Sequence, residues 1–462
     1  MAQNNNHLRF KEKLGYGLGD TASNFFFQTF NIFLLYYYTD VFGISAAAVG
    51  TMFFVTKLWD AVNDPLMGVI ADRTQTRFGK FRPYLLWMAI PYGVLGYVMF
   101  ANPELSDSGK LVYAWVTYTL MMMAYTAINV PYSALMGVMT PSSQERTVLS
   151  SYRFVCAFGG GLLISMLVRP LVQYFGTESE AQGFSTTMAM FAVVSIALFW
   201  YTFSTTKERV KTPEDHNSKL TNDLKFLLSN RPWLVMFFAA IFTLANVAVK
   251  NAVTVHFFKY YVGDDGTPYF LFMDRTTLFL TAGMLAMIIG VASTRLFTKH
   301  FEKKTLMIWL SLLNAASMLI IFVIPPEQYW TMMVVNIAGM FLVGPTPALV
   351  WAMYADVADY GEWKYGRRTT GLVFSAAQFA QKFGLTLGGG LSGWLLGSFG
   401  FIANVDQTDT SLLGIRLMFT VIPACFAMMN IVALIFYNLS DTQVRQIEIE
   451  LEERRKMGSE HI

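Results

Sequence analysis

Cysteine occurs only twice in the 462 residues, at Cys156 and Cys425. Two thiols inside apolar runs support neither a disulfide framework nor a metal motif, and both read as packing residues. Charge is scarce as well: Asp, Glu, Lys and Arg make up 14% of the chain, against about 25% in ordinary soluble domains. There is no zinc spacing, phosphate-binding loop or nucleophile elbow, so no enzyme class and no cofactor is implied. The net charge of +3 sits in loops beside long apolar runs and gives no support for nucleic-acid binding. What fills the chain instead is hydrophobic, at 54% with 16% aromatic residues and a mean hydropathy of +0.41.

Apolar runs long enough to cross a bilayer, about 20 residues each, fall near 15–39, 46–71, 83–102, 111–139, 147–175, 184–205, 232–261, 268–296, 305–324, 328–356, 370–400 and 411–437. The expectation is an all-α polytopic membrane protein with twelve transmembrane helices. Alternate connections carry 25 Lys and Arg, whereas the opposite set carries two, Lys110 and Lys259. By the positive-inside rule both termini are then cytoplasmic. The polar start MAQNNNHLRFKEK leads into a long helix with no small-residue cleavage site, so no removable signal is expected. The chain is expected in the plasma membrane, the bacterial inner membrane, as a multi-pass protein.

The longest polar break, 206–231, divides the twelve spans six and six, giving bundles at 1–205 and 232–437 and a cytoplasmic tail at 438–462. The halves echo each other. GVIADRTQTRFGKFRPYLLW (68–87) and GVASTRLFTKHFEKKTLMIW (290–309) match in Gly, Val, Arg, Thr and the final Trp. RFVCAFGGGL (153–162) and KFGLTLGGGL (382–391) both place a cation six residues before a triple glycine. The offsets, 222 and 229, are close to half the chain, which points to duplication. Transporters built from related halves hold substrate between them and open alternately to each side. Glycine triplets let helices approach closely.

A charge in mid-membrane costs about 2.5 to 3.5 kcal/mol on insertion scales, so each one calls for a partner, a water-filled cavity or a function. The stretch KLWDAVNDP (57–65) carries three. At 100° per residue Lys57, Asp60 and Asp64 fall within one 60° sector of a helix. Two carboxylates one turn apart, against one lysine, form an oxygen-rich, net negative face suited to a small hard cation or a proton. A structural ion cluster, or placement of Asp64 in headgroup water, is the competing interpretation.

In the fourth span Thr126, Asn129 and Ser133 recur on one face, flanked by Tyr125, and Pro131 frees a carbonyl nearby. The fifth span adds Arg153; the eleventh adds Lys382, on one face with Ser375 and Gln378. In the first span Asp20, Asn24 and Asn31 share a sector, with Gln28 close by. Cations and amides can both donate to and, for amides, accept from the hydroxyls of a polyhydroxylated ligand. Helix-to-helix hydrogen bonding is the plainer alternative for each stripe. ADVADYGEWKYGRR, with Asp356, Asp359, Glu362 and Arg367, and the basic loop holding Arg73 and Arg77 are expected to form a cytoplasmic gate. Ordinary loop charge is the alternative. The tail TQVRQIEIELEERRKMG reads as a charged amphipathic surface helix.

KLGYGLGD, YYYTDVFGIS, WDAVNDPLMG, RFGKFRPY, INVPYSAL, SYRF and ADVADYGEWKYGRRTTGL run in order along nearly the whole chain. On these motifs it resembles the glycoside-pentoside-hexuronide:cation symporter family, a branch of the major facilitator superfamily. The resemblance implies the major facilitator fold and sugar uptake driven by Na⁺, Li⁺ or H⁺. The family's melibiose carriers imply a cation site at Asp60, Asp64 and Thr126 and sugar contacts at Tyr125, Arg153 and Lys382. Acids that grip galactosyl hydroxyls there fall at Asn24 and Asn129 here, and site tryptophans at Ser133 and Pro347, so melibiose does not follow. With two acids lost, the pocket becomes less negative, which admits a hexuronide. The asparagine pattern with GRRTTGLVFSA resembles the xyloside and pentoside branch, so β-xylosides or pentosides come first and hexuronides second. A lipid or drug transporter on the same fold is the remaining alternative. The expected partners are sugar, a monovalent cation and membrane lipid, with the protein acting as a monomer.

Overall fold

A computed structural model of the protein describes residues 7–210, 227–365 and 370–459. The described chain is helical almost throughout, with two isolated β-bridges in loops, at Thr76 with Gly79 and at Phe270 with Met273. Apolar runs become helices because a backbone in hydrocarbon must satisfy its own hydrogen bonds. Several start where a serine accepts from an otherwise orphan amide: Ser106 from Gly109, Ser142 from Glu145 and Ser179 from Gln182. Among the described residues, eight helical spans are long and apolar enough to cross a membrane.

Two predicted spans are interrupted for a common reason. The run expected at 83–102 forms Arg82–Trp87 and Ala89–Val98, and the last forms Asp409–Phe419 and Val421–Ile435. In each case the first piece ends four residues before a proline, Pro91 or Pro423, whose missing N–H removes the bond to that position. Pro65, Pro131 and Pro170 stay inside longer helices.

The chain divides into two compact units. The first gathers the described residues of Met1–Glu214 with Asn251–Met284 and Gly390–Ile415; the second gathers those of Asp215–Lys250, Leu285–Gly389 and Arg416–Ile462. In the first, helix Phe10–Ile32 packs against Ser143–Phe175 and Glu180–Thr205. Gly160, in the middle of the triple glycine, lies so close to that helix that a Cβ there would meet Thr21 and Asn24 at 3.3 Å. Tyr16 and Tyr132 stack at 4.8 Å, and the Tyr132 hydroxyl donates to the Tyr16 carbonyl at 2.6 Å.

In the second unit the core is built from Trp233, Met236, Leu306, Leu349, Met353 and Val357. The tail helix Asp441–Ser459 adds Val444, Ile447 and Leu451 to it. Trp363 donates its indole N–H to Glu450 at 2.6 Å, and Arg454 donates to the Trp363 carbonyl at 3.0 Å. The tail is thus docked by its apolar face, a closer role than the surface feature expected of it. Cys156 is half-buried, but Cys425 is exposed, so packing inside the protein does not account for the second thiol.

A third echo of the duplication emerges that the sequence motifs did not reveal. The helices beginning at Phe10 and Arg231 each run into a π-helical turn, Tyr37–Val41 and Phe257–Val262, 220 residues apart at their starts. Each turn is followed by a glycine in the left-handed region, Gly43 with φ 83° and Gly263 with φ 74°. A side chain is disfavoured at such angles.

Candidate functional site

The helix Ala46–Arg73 presents two unlike faces. Val55, Leu58, Trp59 and Leu66 are exposed, as a lipid-facing surface requires, whereas Asp60 is only 6% exposed. Asp60 therefore points into the protein and not toward lipid, and Lys57 lies within its electrostatic reach. One turn further, Asp64 accepts a hydrogen bond of 2.9 Å from the Thr126 hydroxyl of helix Asp107–Met139. This contact joins residues 62 apart in sequence and puts the three expected cation ligands on two adjacent helices of one unit.

The same helix continues the polar surface. Asn129, one turn beyond Thr126, accepts from the Ser23 hydroxyl at 2.8 Å and donates to the Tyr125 carbonyl at 3.0 Å. Tyr125 stacks with Phe27 at 6.0 Å between ring centroids. Ser133 lies one turn on, half-buried. From helix Phe10–Ile32, Asn24 donates to the main-chain carbonyl of Asp20 at 2.9 Å. Arg153 in helix Ser143–Phe175 donates from Nε to the Asp20 carboxylate at 3.0 Å, with its guanidinium 5.3 Å from the Tyr132 ring centroid. Asp20 shares the sector of Asn24 in the sequence pattern but was not among the expected sugar ligands. Its signal was a single acid in the first span, and the choice of Arg153 over Arg169 in the fifth as its partner is one that only the packing makes visible.

Gln378 and Lys382 belong to the second unit, on helix Thr370–Ser398, Gln378 exposed and Lys382 half-buried. The residues expected to form a gate also divide between the units. Arg73 closes its helix and Arg77 lies 4.6 Å over the Phe78 ring in the first unit. There Glu208, which the sequence did not single out, accepts from the backbone amides of Lys80, Phe81 and Arg82 at 2.7 to 2.9 Å. Asp356, Asp359 and Glu362 lie in the second unit, where Asp356 pairs with Lys303, which is 3.6 Å from Asp441. Arg367 lies outside the described residues.

A second polar cluster of the first unit was not anticipated. Asp40, on the first π-helical turn, meets Lys259, on the second, at 2.8 Å and His256 at 3.3 Å, and Tyr260 also donates to it. Lys259 reaches Asn404 at 2.7 Å, and Tyr36 donates to Glu180 at 3.0 Å. Beside these, Arg169 pairs with Asp274 at 2.5 Å, and Gln173 donates to the same carboxylate at 3.0 Å. Burial opposes the charge on Asp40, yet His256 and Lys259 outweigh it and hold the carboxyl well below the usual carboxylate range.

Inward-facing acids, amides and cations on helices with lipid-facing backs define a polytopic transporter. Residues 15–441 match the family described as MFS/sugar transport protein, and the chain belongs to that family. It is a multi-pass inner-membrane transport protein and not an enzyme. The chain is 39% identical over 457 residues to a putative glycoside/cation symporter, YagG, of Escherichia coli (strain K12), covering 98% of this chain and 97% of that one. It is 34% identical over 446 residues to an isoprimeverose transporter of Lactiplantibacillus pentosus, covering 96% and 91%. Among solved structures, a D-xylose-proton symporter superposes with a TM-score of 0.64 at 13% identity over 93% of this chain and 97% of that one, a likeness of fold.

Proposed function

We propose that the protein is a cation-coupled sugar symporter that imports glycosides or short oligosaccharides, β-xylosides or pentosides first, by alternating access between six-helix halves at 1–205 and 232–437. Both termini lie on the cytoplasmic side in this scheme, and twelve spans cross the membrane. The observation that carries it is the hydrogen bond from Thr126 to Asp64, because it ties the acid-bearing helix to the helix that also carries Tyr125 and Asn129. A monovalent cation, Na⁺ or in its place Li⁺ or H⁺, binds at Asp60 and Asp64. Thr126 then changes from donor to ligand, offering its oxygen to the ion. That change fixes helix Asp107–Met139 and with it the amide of Asn129 one turn away.

Sugar hydroxyls are met by Asn24, Tyr125, Asn129, Ser133 and Arg153, and by Gln378 and Lys382 of the second unit. Each ligand then raises the other's affinity by the same factor, as linkage requires. Relatives named as a glycoside/cation symporter and an isoprimeverose transporter support the glycoside assignment. Arg73, Arg77, Asp356, Asp359, Glu362 and Arg367 are assigned to the cytoplasmic gate. The protein works as a monomer in this scheme, with sugar, a monovalent cation and membrane lipid as its partners.

The test is uptake into proteoliposomes of a labelled β-xyloside under an imposed inward Na⁺ or H⁺ gradient. Accumulation above the outside concentration under one of these gradients, and simple equilibration without it, is the expected result. Equal accumulation with no ion gradient refutes symport. Transport of detergent-sized amphipaths in competition with the sugar would favour the lipid or drug alternative.

A further inference from the structure

The contact between Asp20 and Arg153 is built from two helices of the first unit, 3.0 Å apart, with side chains 13% and 28% exposed. It borders the proposed sugar ligands directly, since Asn24 donates to the Asp20 carbonyl and Arg153 lies over Tyr132. With acids absent at Asn24 and Asn129, the sequence made the pocket less negative and so admitted a hexuronide. The structure adds a carboxylate beside Arg153, because Asp20 pairs with its guanidinium. Arg153 has five N–H donors. Its Nε is committed to Asp20 and the guanidinium also meets the Tyr16 hydroxyl, which leaves further N–H groups for sugar hydroxyls while the Asp20–Arg153 pair as a whole carries no net charge.

We infer that Asp20 is a specificity-determining residue: its carboxylate takes the place on Arg153 that a uronate carboxylate would need, so the site selects neutral glycosides over hexuronides. The inference rests on the sugar-symport reading above and names the substrate class within it. A uronate approaching Arg153 has two courses. It displaces Asp20 and forfeits a charge-assisted hydrogen bond, or it settles beside Asp20 and places like charges together in a poorly screened site. A neutral glycoside meets neither cost. A β-xylopyranoside is a β-glucuronide whose C5 carboxylate is replaced by hydrogen, so this pair of ligands isolates the effect of the one group.

The experiment is equilibrium binding of p-nitrophenyl β-xylopyranoside and p-nitrophenyl β-glucuronide to the purified full chain in saturating Na⁺. It compares wild type, Asp20→Asn and Asp20→Glu. Wild type is expected to prefer the xyloside by at least about tenfold, the size of one charge-assisted contact. Asp20→Asn should move the affinity ratio toward the glucuronide by about tenfold or more, and Asp20→Glu should keep the wild-type preference. A merely structural role for Asp20 would weaken both ligands alike. A ratio that stays put in Asp20→Asn therefore overturns the inference, as does wild type that binds both ligands equally. Asp20→Ser, smaller and still able to hydrogen-bond Arg153, carries the same comparison if the amide variant fails to fold. If neither glycoside binds wild type, the sugar-symport reading falls and takes this inference with it; xyloside binding with an unmoved ratio removes only the role of Asp20.

Discussion

Asp40 is met by Lys259 at 2.8 Å and His256 at 3.3 Å, whereas Asp64 is met by the Thr126 hydroxyl at 2.9 Å. Both acids sit in the first unit, 24 positions apart in the chain. At Asp40 the protein supplies its own partners, Lys259 from the second π-helical turn and His256 from the residue before it, and the carboxylate side chain is shut off from solvent at 0% exposure. In helix Ala46–Arg73 two carboxylates share a face with one lysine, and the neighbouring helix brings a hydroxyl. A built-in counter-ion fastens an acid in place; an oxygen-rich face with an excess of negative charge suits a counter-ion that comes and goes. On this account the Asp40 cluster holds the fold at one end of the first unit, and the Asp60–Asp64 face does the coupling.

Substitutions at the two places should therefore fail in different ways. The largest effect is expected from Asp64→Asn: the rise in sugar affinity on adding cation, about 5- to 150-fold for coupling of ordinary size, should vanish while the protein remains folded. Tryptophan fluorescence or calorimetric titration with a β-xyloside, with and without Na⁺ and across pH, measures it. Retained cation dependence would remove the site assignment. Asp40→Asn should do the reverse. It leaves Lys259 and His256 facing a neutral amide, at a cost of about 2 to 3 kcal/mol, reduced from the figure for a fully buried pair because Lys259 is 26% exposed. Its unfolding temperature in detergent should fall, with the cation response intact in the folded fraction. A lost cation response there would erase the distinction between the two sites. Thr126→Ala sharpens the comparison from the other side: losing one hydroxyl ligand should weaken cation affinity about tenfold, near 1.4 kcal/mol. Unaltered cation affinity in that variant would exclude Thr126 from the site.

Much of this was legible in the residues. The run KLWDAVNDP suggested an inward polar face, since helical spacing puts Lys57, Asp60 and Asp64 in one sector, and in the structure Asp60 is buried while Leu58 and Trp59 beside it are exposed. The ordered motifs identified the family. What stayed hidden was pairing over long sequence separations. Arg153 with Asp20 spans 133 positions and Lys259 with Asp40 spans 219, and helical periodicity carries no information across such gaps. The π-helical turns were invisible for a different reason: an extra residue in a helical turn leaves the apolar pattern of YYYTDV and FFKYYV unchanged. Helix interruptions near Trp87 and Phe419 were in principle readable from Pro91 and Pro423, yet Pro65 and Pro131 sit inside continuous helices, so proline position alone does not decide.

The central claim, that a cation held by Asp60, Asp64 and Thr126 and a sugar held nearby strengthen each other, has one direct measurement. Calorimetric titration of purified protein gives sugar affinity with and without saturating Na⁺, and Na⁺ affinity with and without saturating β-xyloside. The account predicts that the two ratios are greater than one and equal, and that both collapse to one in Asp64→Asn. Sugar affinity indifferent to Na⁺ and to pH in the wild-type protein would contradict it.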